Sequence, residues 1–68
     1  MFYIFGRNRE NRSKHFWNRR KGVWQEDLTP ACHYPTESGV DRVWRHKSTF
    51  YRREDRAFDE IGWKRLEA

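Results

Sequence analysis

Sixty-eight residues leave room for one small domain and exclude a barrel or a doubly wound nucleotide-binding fold. Val, Ile, Leu and Phe supply only 12 residues, but Phe, Tyr and Trp together also number 12, so the interior must be built largely from rings, each able to bury roughly 150–250 Å². Fifteen Lys and Arg against ten Asp and Glu give a formal charge of +5, which draws the chain toward phosphate or acidic protein surfaces.

Phe2 to Phe5 alternate in the manner of a first strand with rings on both faces, ended by Gly6. Arg7 to Lys14 show no periodicity and read as an exposed, mobile basic hairpin loop. His15, Phe16 and Trp17 resume an extended pattern, Asn18 to Gly22 turn it, and Val23 and Trp24 return; one bent strand and a tight hairpin fit equally. Asp27 to Ala31 read as a turn or single 3₁₀ turn around Pro30, with Leu28 and Ala31 inward. Cys32 to Tyr34 are extended, because Pro35 biases the residue before it away from helix. Thr36 suits an N-cap and Glu37 the first turn of a helix, on which Val40, Val43 and Trp44 share one stripe while Asp41, Arg42 and Arg45 face water.

The last third admits two readings. Phe50, Ala57, Phe58 and Ile61 fit a second amphipathic helix closed by Gly62, and Ile61, Trp63 and Arg65 fit a closing strand. The run Arg52-Arg53-Glu54-Asp55-Arg56 is poor strand content and favours a helix over residues 50–61. The expected fold is α+β: a small antiparallel sheet of two to three strands packed against one or two helices. It forms a single domain over residues 1–68, strand-rich over 1–35 and helix-rich over 36–68 with a flexible tail. Trp24 and Trp44 are assigned to the interior, and Trp17 and Trp63 to the surface as anchors.

Charge is distributed in blocks, net +6 over residues 1–24, −4 over 25–41, +5 over 42–53 and −2 over 54–68, which argues for an asymmetric surface. Cys32, His33, His15 and His46 are the soft or imidazole ligands present, but the paired spacings of a structural zinc site are missing, and adjacent Cys32 and His33 on an extended segment point to opposite faces. No metal and no cofactor is therefore expected. A catalytic Cys or Ser needs a partnered His inside a water-excluding pocket, for which this interior has little material; enzyme function is not expected. The adjacent acids Glu26-Asp27, Glu54-Asp55 and Asp59-Glu60 read as solvated. A single cysteine cannot form an internal disulfide and suits a reducing cytoplasm, and no apolar run is long enough to span a membrane.

The residues Phe16, Trp17, Trp24, Asp27, Leu28, Ala31, Tyr34 and Thr36 form a pattern that resembles small bacteriophage accessory proteins of β-β-α type, over residues 2–47. The resemblance implies architecture first. It also implies, for similar proteins with roles, binding and blocking of a host protein such as a CRISPR effector or a polymerase.

The strongest functional signal is the interleaving of cations with rings. Arg7, Arg9, Arg12, Lys14, Arg19, Arg20 and Lys21 flank Phe16 and Trp17, and Arg42, Arg45, Lys47, Arg52 and Arg53 flank Trp44, Phe50 and Tyr51. Rings stack on bases and Arg pairs with phosphate, while Trp, Tyr and Arg also dominate protein hot spots. The expected binding residues are Arg7, Arg9, Arg12, Lys14, Trp17, Arg19, Arg20, Lys21, Arg52 and Arg53. The leading expectation is an inhibitor or adaptor docking on an acidic or nucleic-acid-binding surface of a larger host protein, and the alternative is direct nucleic-acid binding.

Overall fold

The computed structural model describes residues 1–46, 50 and 53–67. Four strands, β1 (Phe2–Asn8), β2 (Lys14–Asn18), β3 (Val23–Gln25) and β4 (Phe58–Arg65), form one antiparallel sheet in the order β3-β2-β1-β4. A 3₁₀ turn at Pro30–Cys32 and the helix α1 (Glu37–Arg45) follow β3, and a second 3₁₀ segment, Arg53–Ala57, leads into β4. The architecture is α+β, with four strands in place of two to three.

Asparagine ends both strands of the first hairpins. Asn8 Oδ1 accepts the backbone N–H groups of Glu10 and Asn11, and Asn18 Oδ1 those of Arg20 and Lys21, so each side chain templates its own turn. Gly22 completes the β2–β3 turn at φ 68°, and Arg12 takes φ 62° in the β1–β2 turn. The strand expected to end at Gly6 runs on to Asn8, so only residues 9–13 remain as hairpin loop.

α1 starts where the cap predicts. Thr36 Oγ1 accepts from Gly39 N at 3.1 Å, and Glu37 sits in the first turn. Val40 is fully buried and Val43 packs beside it, against Phe2, Ile4, Trp17, Trp24, Tyr34, Phe50, Ile61 and Trp63. One sheet face therefore meets α1 and forms the core. Antiparallel pairing puts Tyr3, Phe5, Arg7, Lys14, Phe16, Glu60, Gly62 and Lys64 together on the other face.

The expected helix over residues 50–61 is overturned, because residues 58–65 are β4 and pair with nearly the whole of β1. Local propensity opposed a strand, but pairing places Trp63 beside Ile4 and Ile61 beside Gly6, closing the core on that side. Two tryptophans also exchange places with expectation. Trp17 is 5% exposed, edge-on to Trp24 and Phe50, while Trp44 is 36% exposed at the margin of α1, its indole N–H donating to Ile61 O at 2.9 Å. Trp63 is half-buried, its ring edge-on to Phe2. Asp55, expected in solvent, is 4% exposed and accepts the Trp24 indole N–H at 2.7 Å. Asp41, also expected in solvent, accepts from both Trp63 Nε1 and Arg45 Nε.

Candidate binding surface

The hairpins carry most of the expected binding cations but do not assemble them. Arg9 and Arg12 lie in the β1–β2 turn, and Arg19, Arg20 and Lys21 in the β2–β3 turn. These turns sit at opposite ends of β2, whose five residues span roughly 17 Å. Several cations are also engaged within the fold. Arg12 Nη1 meets Asp59 Oδ2 at 2.6 Å, Arg7 Nε meets Glu60 Oε2 at 3.7 Å, and Arg19 donates to His33 O while its guanidinium lies 4.6 Å from the Tyr34 ring centroid. Arg9 lines a cleft of about 240 Å³ with Asn8, Glu10, Arg56 and Ala57. Arg9, Arg20 and Lys21 are exposed and make no ion pair among the described residues. Trp17 belongs to the core and cannot anchor a ligand. Arg53 opens the second 3₁₀ segment, and Arg52, with Lys47 and Tyr51, lies outside the described residues.

What the fold does bring together is the sheet face away from α1. The Tyr3 ring packs edge-on against Phe16 with centroids 5.5 Å apart, and tilted against Phe5 at 6.5 Å. Lys14 Nζ lies over all three rings, 4.8 Å from Phe5, 5.3 Å from Tyr3 and 5.9 Å from Phe16, and donates to the Tyr3 hydroxyl at 3.3 Å. Lys64 Nζ lies over Phe5 from β4 at 5.5 Å. Two ammonium groups thus converge on one ring and stand no more than about 10 Å apart, the limit set by those two distances. Each contact over a ring contributes about 0.5–1 kcal/mol at an exposed site, and the rings beneath exclude water from one side of each ammonium. The rings are sealed by this arrangement, Phe5 being 3% and Tyr3 9% exposed.

Tyr3, Phe5 and Lys64 were missing from the residues expected in the site. The alternation of β1 was visible, but which face stays uncovered depends on where α1 packs. Lys64 became relevant only once residues 58–65 paired as a strand. Strict alternation of Ile61, Trp63 and Arg65 around Gly62 and Lys64 was the signal that could have found it.

A second feature lies between α1 and β4: an open groove of about 570 Å³ lined by Glu37, Ser38, Asp41, Arg45 and Trp63. Asp41 organises its floor, accepting from Arg45 Nε at 2.7 Å and Trp63 Nε1 at 3.2 Å. Cys32 is fully buried, with Gln25 Nε2 and Thr29 Oγ1 within hydrogen-bonding range of its sulfur. Among the described residues, no three His, Cys, Asp or Glu side chains are grouped to hold a metal, and no helix is long and apolar enough to cross a membrane. Beside Cys32, burial pushes the Tyr34 hydroxyl above its ordinary pKa of 10.0, against the opposing pull of the Arg19 guanidinium. No family model, curated protein or solved structure matches the chain.

Proposed function

We propose that this chain is a non-enzymatic binding protein that docks its helix-free sheet face on an acidic surface of a larger protein, as a stoichiometric inhibitor or adaptor. The observation that supports it is the pair Lys14 and Lys64, both held over the Phe5 ring on the face that α1 leaves uncovered. Stacking of nucleic-acid bases requires an open ring face, and the sealed Tyr3 and Phe5 rings offer little of one. Carboxylates of a protein partner need only the ammonium groups, which the sheet already orients and partly desolvates. The resemblance to phage accessory proteins supplies the class of target, a host CRISPR effector or polymerase. Direct nucleic-acid binding is the second reading, favoured by exposed Arg9, Arg20 and Lys21 at the two turns, spaced to contact separate phosphates.

The test compares wild type with Lys14→Met, which removes the charge and retains an apolar stem over the rings. From a nuclease-treated bacterial lysate, wild type is expected to retain one protein in stoichiometric amount, and Lys14→Met to lose it while keeping its circular dichroism spectrum. Failure to retain any protein, together with binding of a short single-stranded oligonucleotide whose log–log salt slope is steeper than about −2, sinks the proposal in favour of nucleic acid.

A further inference from the structure

β4 is an edge strand, and among the described residues no other strand pairs with its outer side. Its backbone orientation follows from the far side of β1. Phe2 N donates to Tyr34 O and Tyr34 N donates to Phe2 O, so both Phe2 groups point away from β4. The antiparallel alternation then turns the N–H and C=O groups of Arg65, Trp63 and Ile61 outward, at the free edge. Trp44 reaches Ile61 O there from α1, as that orientation requires. Among the described residues, the other outward groups of Ile61, Trp63 and Arg65 have no backbone partner, a ladder that proteins rarely leave open on a strand of eight residues.

We propose that this edge is a homodimer interface in which β4 pairs antiparallel with β4 of a second copy, centred on Gly62. β4 is complementary to itself in charge and shape. With Gly62 opposite Gly62 of the second copy, Glu60 faces Lys64 twice, once in each direction, and Ile61 faces Trp63 on the helix side. Registers centred on Glu60 or Lys64 set like charges opposite each other, and the flanking odd-numbered centres leave Glu60 and Lys64 unmatched. The central pair is of the non-hydrogen-bonded kind, in which Cα atoms approach to about 4.5 Å, and two glycines meet there without side-chain conflict. Glu60 holds Arg7 only loosely, at 3.7 Å, and its side chain is more than half exposed, so it can take a second cation. The Ile61 carbonyl has a second lone pair for the incoming Trp63 N–H, and the exposed Trp44 ring becomes a flank of the interface. The groove beside α1 then lies at the seam between the two helical layers.

The dimer shares Lys64 with the acidic-surface reading, but Lys14 serves only that reading and Glu60 only the dimer, so Lys14→Met and Glu60→Lys distinguish failure of one from failure of the other. Sedimentation equilibrium of wild type is expected to give a species of twice the 8.5 kDa chain mass, with Glu60→Lys and Lys64→Glu each weakening dimerisation about tenfold or more. The double variant Glu60→Lys/Lys64→Glu restores it, and a mixture of the two single variants forms the mixed dimer. Trp44→Ala weakens the dimer. The proposal is overturned if wild type remains at the chain mass at high concentration, if the dimer ignores the charge swaps, or if Trp44→Ala strengthens association, which would make that indole a guard of the edge.

Discussion

Gly6 and Gly62 occupy adjacent strands and look equivalent in sequence, yet alanine should be costly at one and nearly silent at the other. A Cβ added at Gly6 would stand 2.9 Å from Phe58 Cγ and Cδ1 and 3.3 Å from Cδ2. Carbon atoms prefer separations of about 3.5–4.0 Å, so the ring must move by at least half an ångström at its root, where no rotation helps. Phe58 is also held by Trp24, with centroids 4.7 Å apart, and by His15 at 5.5 Å, and displacement strains both contacts. Overpacking of this kind costs about 1–3 kcal/mol, and the reduced freedom of the unfolded chain returns about 0.4–1 kcal/mol. The expected net loss is about 1.3 kcal/mol, which for a domain of this size lowers Tm by roughly 5–10 °C. A Cβ at Gly62 meets only the far edge of the Phe5 ring, at 3.3 and 3.4 Å, so Gly62→Ala should stay within about 0.5 kcal/mol of wild type. Thermal and urea unfolding of dilute protein, followed by circular dichroism, measures both. If Gly6→Ala proves as stable as Gly62→Ala, the placement of Phe58 over β1 is wrong.

Asp55→Ala strips the Trp24 indole of its acceptor and should destabilise the fold by about 1–3 kcal/mol in urea titrations, with Asp55→Asn losing clearly less because it still accepts; equal losses would show that this hydrogen bond contributes nothing. Tyr34 predicts a pH effect of definite sign. Its hydroxyl binds a proton more tightly folded than unfolded, so stability is retained below about pH 10 and falls as pH rises past that unfolded value toward the higher folded one. Melting temperatures of wild type and Tyr34→Phe between pH 9 and 12 check it, and parallel curves for the two would refute the burial argument.

The elements most legible in sequence are those whose causes are local. Thr36, Glu37 and the spacing of Val40 and Val43 specify α1 because a capping hydroxyl and a 3.6-residue stripe act within a few residues. Asn18, Gly22 and Pro30 mark the β2–β3 turn and the 3₁₀ turn for the same reason: their effect is on their own backbone. The candidate surface was legible only in kind. Cations interleaved with rings were visible, but Arg7 and Lys14, read as parts of a loop, are strand residues on the face that carries the feature, and Arg19 to Lys21 and Trp17 belong to other parts of the molecule.

By its own order of residues, then, the chain determined a first hairpin, a turn at Asn18 to Gly22, a capped helix, an interior built of rings and a net positive charge. Tertiary structure decided the rest, beginning with residues 58–65, where charged side chains oppose a strand but the open side of β1 offers a row of backbone partners and a place to bury Ile61 and Trp63. That pairing is worth nothing until β1 exists, some fifty residues earlier, so no local preference records it. It delivers Lys64 to the Phe5 ring, leaves β4 at the edge, and lets Asp55 find Trp24. The face on which α1 came to rest then determined which rings became core and which became the floor beneath two lysines.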